Sequence, residues 1–411
     1  MRRGLPVWLL GLANVPVGLM FGLGLMVAPE VMAARHLLET TIANVTTLGL
    51  VGNLAFFLVA PVLDVHFSRR TYAIAMMGAA TTLTFVMVLS MADMRLLGAW
   101  LFLGMVAVNL NTSALGGWFG SFLPTEQDAR LGAWFAVASF GGFGLASMVG
   151  IELIHHRPLW LAATILAGLN LPSLAIVLAA DCPLDERSCL TESFGRFGRD
   201  LAQLAQRSDV KLLALLLLLP CTAFALTNTL GGLGGDYQAS ARLVAIIGGV
   251  GVTAAGIFGS LTVPVLGRRA TLVSVYLGIG IVGALSTLSL AVLPHTPAVY
   301  ALALVAQNIW QSAGLAAGTA LILASIGKDN PLASTQFAIL NAALATPLMY
   351  MQWIDGHAYG ARGLTGLYLT DGGLDLASCV LMIGLFLLWS KRPTGAPERA
   401  GPTLLRRLLD A

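Results

Sequence analysis

The stretch Pro61-Val62-Leu63-Asp64-Val65-His66-Phe67-Ser68-Arg69-Arg70 closes a long apolar run, and Pro264-Val265-Leu266-Gly267-Arg268-Arg269 closes another. The two endings are offset by about 200 residues, in a chain whose length allows two such lengths and little more. Other features repeat at the same offset. Asn109, Ser113, Gly116 and Gly120 fall on one helical face, and Gln307, Gln311, Gly314 and Gly318 fall on another with identical spacing. Pro16 interrupts the first apolar run and Pro220 the first run of the second half. Paired interruptions of this kind point to a site between two structural repeats.

Composition supplies the solvent. Of 411 residues, 57% are apolar and 10% charged, against about 25% charge in a soluble domain. The mean hydropathy is +0.82. Allowing about 20 apolar residues per membrane-spanning helix, the chain holds twelve spans. They are expected near 6–28, 41–63, 71–92, 97–119, 131–154 and 159–180, then 210–232, 241–264, 270–293, 298–325, 333–354 and 370–390. The expected architecture is an all-α integral membrane protein: twelve transmembrane helices in two pseudo-symmetric six-helix bundles. Residues 1–180 form the first bundle, 181–209 a linker, 210–390 the second bundle and 391–411 a tail. Leu190, Phe194, Phe197, Leu201 and Leu204 give the linker an amphipathic helix for the membrane surface. The first run continues past Val27 with no small-residue cleavage site, and is expected to be a retained helix.

The basic residues set the orientation. With the N-terminus inside, eighteen Lys and Arg fall on inner segments, and five (Arg35, Arg95, Arg157, Arg242, Arg362) fall outside. Both termini are expected in the cytoplasm, and the expected location is an inner membrane. The net charge of +3 is too small for a nucleic-acid partner. Cys182, Cys189, Cys221 and Cys379 match no zinc or redox spacing and are expected as free thiols. No metal or cofactor is expected. No nucleophile–base pair or phosphate loop supports an enzyme.

These residues resemble the major facilitator superfamily over essentially the whole chain. That family carries Gly-x-x-x-Asp-x-x-Gly-Arg-Arg between spans 2 and 3. Here Ala60, Asp64, Ser68, Arg69 and Arg70 look like a degenerate form with one extra residue, echoed by Arg268 and Arg269 after span 8. The resemblance implies that Asp64 and the arginines gate the cytoplasmic ends of the helices. More narrowly, Ala60–Asp64, Leu123-Pro124-Thr125-Glu126 and the 334–340 stretch look like segments of the bacterial muropeptide, acetyl-CoA and siderophore permeases. Those relatives carry a Gln-Asp and a second Asp four residues later in span 4. This chain has Asn111-Thr112 and Gly116 there, before Trp118, and lacks the acidic pair.

The resemblance also implies that spans 1, 4, 7 and 10 line a central cavity. Its candidate substrate contacts are Asn14, Asn109, Asn111, Thr112, Trp118, Asn228, Gln307, Asn308, Trp310 and Gln311, with Asn341 on span 11. Neutral amides suit a polyhydroxylated, peptidic or chelate-type solute, moved as small-molecule substrate by a monomer in the lipid bilayer. Alternatives are a drug or metabolite exporter of the same fold, and a non-transporting membrane sensor. Glu39, Glu152, Asp236, Asp355, Asp371 and Asp375 are expected near the outer ends of spans, where water reaches them. Asp371 and Asp375 are expected as favourable charges in the first turn of span 12. With no deep carboxylate, proton coupling through span 4 is expected to be weak or absent. If protons are used, Glu39, Asp355 and the Asp371/Asp375 pair are the candidates.

Overall fold

Every regular element in the computed structural model is helical among the residues it describes, 5–65, 67–180, 207–230, 232–327 and 330–390. Ten of these helices are long and apolar enough to cross a membrane. Two features reconcile ten with twelve. The helix Ala333–Ser390 breaks at Arg362 (φ −139°, ψ 17°) and Gly363 (φ 58°, ψ −152°), so it comprises spans 11 and 12. Only a residue without Cβ adopts the Gly363 conformation at no steric cost. Span 7 is divided into Ser208–Leu218 and Leu226–Leu230, neither long enough to count alone. The remaining spans are Val7–Ala34, Glu39–Val59, Arg69–Leu89, Met94–Phe122, Asp128–His156 and Leu159–Ala179 in the first half. In the second half they are Ala241–Leu266, Leu272–Leu290 and Pro297–Ile326. The expected helix at 190–204, the tail from 391 onward, and the side chains of Glu39 and Asn228 lie outside the described residues.

Contacts divide the chain into two units, Met1–Leu204 with Ile326–Ala342, and Ala205–Ser325 with Ala343–Ala411. Hence the first turns of span 11 pack with the N-terminal helices, a division the sequence boundaries at 180 and 210 do not contain. In the first unit, span 1 turns at Ala13–Asn14 just before Pro16. Pro16 has no N–H for the carbonyl four residues back, and that carbonyl, Leu12, instead accepts a bond from Ser173 Oγ of span 6 at 3.2 Å. Large apolar side chains such as Leu58 (70% exposed) and Trp160 (62%) face outward, as expected where the solvent is hydrocarbon.

In the second unit, Pro220 sits in an unwound stretch from Leu219 to Ala225, and Phe224 adopts a left-handed φ of 44°. Its freed carbonyls find partners from three other spans. Tyr350 donates to Leu218 O at 2.8 Å, the Cys379 thiol to Cys221 O at 3.5 Å, and Gln311 Nε2 to Phe224 O at 3.4 Å. Both halves thus interrupt their first span at the proline. Tyr237, between spans 7 and 8, pairs its hydroxyl with that of Tyr368 and packs against Tyr300. Burial raises the Tyr237 phenol above its ordinary range, so it stays neutral.

Candidate functional site

Asp64 is held by a helix start. It ends the 3₁₀ turn Ala60–Asp64 that closes span 2, and Arg69 opens span 3 behind the Ser68 cap. Asp64 accepts from Arg69 Nε at 3.2 Å and from the backbone N–H groups of Ser334 (3.3 Å) and Thr335 (2.6 Å), the opening turn of span 11. That turn has free N–H groups and a partial positive charge, which a carboxylate complements. Arg69 Nη2 donates to the carbonyls of Asn330 (2.7 Å) and Pro331 (3.3 Å). The Asp64 side chain is 0% exposed and that of Arg69 4%, so the pair is desolvated and its remaining polar atoms are bonded. Gly116 and Gly117 of span 4 leave room for this turn: a Cβ at Gly117 would lie 2.5 Å from Ser334 N. Arg70 donates to Leu178 O at 2.6 Å, while Arg268 and Arg269 are exposed. The second half has Gly267 where the first has Asp64, and among the described residues no ion pair involves Arg268 or Arg269.

Asn14 of span 1 and Asn109 of span 4 both bond across to neighbouring helices. Asn14 Oδ1 accepts from Thr112 Oγ1 at 2.6 Å, and Asn14 Nδ2 donates to Ser139 Oγ at 3.3 Å. Asn109 Nδ2 donates to Asn53 Oδ1 at 2.9 Å and Met105 O at 2.8 Å. Asn111 keeps a buried Oδ1 with no partner. Trp118 is buried and stacks on Phe119 at 5.0 Å.

On span 10, Gln307 Nε2 donates to Thr287 Oγ1 at 2.7 Å, and Gln311 Nε2 to Thr227 Oγ1 at 2.7 Å. Asn308 donates to Leu304 O at 2.8 Å. Gln307 Oε1 and Trp310 Nε1 remain buried without partners. Asn341 on span 11 is half-buried. Gln307→Leu should lose one interhelical bond and Gln311→Leu two, at about 0.6 kcal/mol each, and both should weaken any ligand-induced rise in melting temperature. A large fall in melting temperature with an unchanged ligand response would make the pair structural.

The acidic residues divide differently from expectation. Glu152 and Asp236 are exposed, Asp236 accepting from Tyr359 at 2.7 Å. Asp355, Asp371 and Asp375 are not at water-reachable ends: each is 0% exposed. Span 11 runs on to Arg362 and span 12 restarts after Gly363. At about 1.5 Å per residue, Asp355 lies about 10 Å before the break and Asp371 about 12 Å after it. Asp371 is two turns inside its helix, so the first-turn role does not apply. Hydropathy places span ends at charges, and here the charges lie inside.

Solved structures match this arrangement across nearly the full chain. The human organic anion transporter MFSD10 gives a TM-score of 0.71 at 16% identity, covering 92% of this chain and 98% of its own. The E. coli fucose:proton symporter FucP gives 0.73 at 15%, with 92% and 98% covered. The proton:xylose symporter XylE gives 0.69 at 14%, with 98% and 99% covered. The fold is that of the major facilitator superfamily. No family model and no curated protein sequence matches the chain. At these identities the likeness concerns the fold alone.

Proposed function

We propose that the chain is a secondary transporter of a small-to-medium organic solute of muropeptide, siderophore or metabolite type. It works by alternating access in a bacterial inner membrane, as a monomer with both termini in the cytoplasm. The observation that carries this reading is the major facilitator fold with unpartnered polar atoms on spans 4 and 10: Asn111 Oδ1, Gln307 Oε1 and Trp310 Nε1. A buried polar atom without a partner costs about 1–3 kcal/mol, and a polar solute donating to either amide would recover it. Among the described residues Arg69 is the one buried base, and it pairs with Asp64, which leaves the neutral amides as the buried groups offered to a solute. Gating is assigned to the Asp64–Arg69 network on span 11, whose release would free the start of that helix.

A thermal-shift screen of the purified protein against muropeptides, siderophores, sugars and common drugs tests the reading. A polyhydroxylated or peptidic solute should raise the melting temperature, and Asn111→Leu should reduce the rise. A response confined to apolar drugs would favour the exporter; no response to any class would favour the sensor.

A further inference from the structure

Spans 11 and 12 carry three aspartates into the interior of the second unit. All six carboxylate oxygens of Asp355, Asp371 and Asp375 are buried without a hydrogen-bond donor from the protein. Asp355 and Asp371 lie within hydrogen-bonding reach of one another, a contact that two carboxyl groups make by sharing a proton. Asp375, one turn further along, neighbours Asp371, Cys379 and the Phe224 backbone amide, the last outside good bonding geometry. The other titratable groups facing this cluster are Cys221 from the unwound part of span 7, Tyr276 from span 9 and Tyr350 from span 11. Among the described residues no Lys, Arg or His pairs with the three acids, and no three His, Cys, Asp or Glu side chains are placed to hold a metal ion.

Uncompensated charge at this depth is prohibitive, because burial removes hydration and nothing here replaces it. The ion that neutralises these acids is therefore a proton. A carboxyl kept only for structure would bond to its surroundings, yet outside their own pair no protein donor among the described residues reaches these oxygens in good geometry. We propose that Asp355, Asp371 and Asp375 form a proton-carrying site, linked to solute binding through the unwound segment of span 7. The link is short: Asp375 adjoins the Phe224 amide, and the Phe224 carbonyl accepts from Gln311 of span 10. On the releasing side a carboxyl O–H bond breaks and its proton passes to water; on the loading side water returns one. This assignment rests on the transporter reading and replaces the expectation that the deep spans hold no carboxylate.

Dicyclohexylcarbodiimide, which attacks protonated carboxyl groups in apolar surroundings, tests the site without any solute. Applied to the full-length protein in lipid vesicles and mapped by peptide mass, it should label residues 355, 371 and 375. Labelling should fall about tenfold per pH unit past its midpoint, and Asp371→Asn should move the midpoint at Asp355 by about one pH unit. No label at any of the three overturns the proposal, as does protection by NaCl but not KCl at constant pH, which would make the ion sodium. In the same vesicles, counterflow of a radiolabelled anhydromuropeptide reports transport separately. Counterflow retained in Asp371→Asn, with loss of solute-driven acidification of a pyranine-loaded lumen, is the expected pattern. Acidification unchanged in all three Asn variants overturns the proton assignment. Counterflow absent from the unsubstituted protein counts against the transport reading, and the labelling then judges the acids alone.

Discussion

Replacing Arg69 by methionine should lower the stability of the first unit by about 3–5 kcal/mol, the usual cost of stripping one partner from a buried ion pair. Asp64 would keep its two backbone N–H donors and lose the guanidinium that pairs with its Oδ1. The carbonyls of Asn330 and Pro331 would lose the guanidinium that joins the approach to span 11 with span 3. Arg69→Lys should fall between, because an ammonium keeps the charge but cannot reproduce the planar fork that reaches Asp64 and both carbonyls. Arg268→Met, at the equivalent place in the second half, is exposed and should stay within about 0.5 kcal/mol. Thermal unfolding of the three variants in detergent measures the order. Equal melting for Arg69→Met and Arg268→Met would show that the network adds nothing to the fold.

Gly18→Ala should be nearly as damaging. A Cβ there would stand 2.0 Å from the Ser139 carbonyl oxygen and 2.8 Å from Phe143 N, both backbone atoms of span 5. Backbone cannot rotate aside as a side chain can, so spans 1 and 5 must separate, and overpacking of this kind costs about 1–3 kcal/mol or more. Gly259→Ala repeats the experiment in the second unit, where the clash is with Ile309 O at 2.2 Å. Gly78→Ala and Gly278→Ala meet nothing within 4 Å and should be neutral or mildly stabilising. Four melting curves decide the matter. A similar change in all four would place the effect in helix propensity, not in helix–helix contact.

The acidic cluster shows where reading along a line fails. Asp355, Asp371 and Asp375 look like span ends because hydropathy dips around them, and the intervening stretch with His357 and Arg362 looks like a loop. The helices instead continue through it to one break at Gly363. Whether a carboxyl within a helix meets water or other side chains depends on which elements pack against that face. For these three the elements are spans 7, 9, 11 and 12, separated by as many as 150 positions in the chain. Asp64 is the converse case. Its motif with Arg69 was legible, but its partners at Ser334 and Thr335 lie some 270 positions away.

What the sequence alone determined is the membrane, the helical class, the number of spans and the halving. Each follows from local physics: backbone groups in hydrocarbon must be satisfied within the helix, and a proline must break its own i−4 bond. Both interrupted spans could be read from Pro16 and Pro220 without any partner. Tertiary structure decided the fate of every polar side chain within those helices. It made Asn14 a junction of spans 1, 4 and 5, gave the start of span 11 to the first unit, and closed three aspartates away from water. Burial and pairing are properties of two or more elements at once, and a periodicity within one helix records only that a face exists, not what meets it.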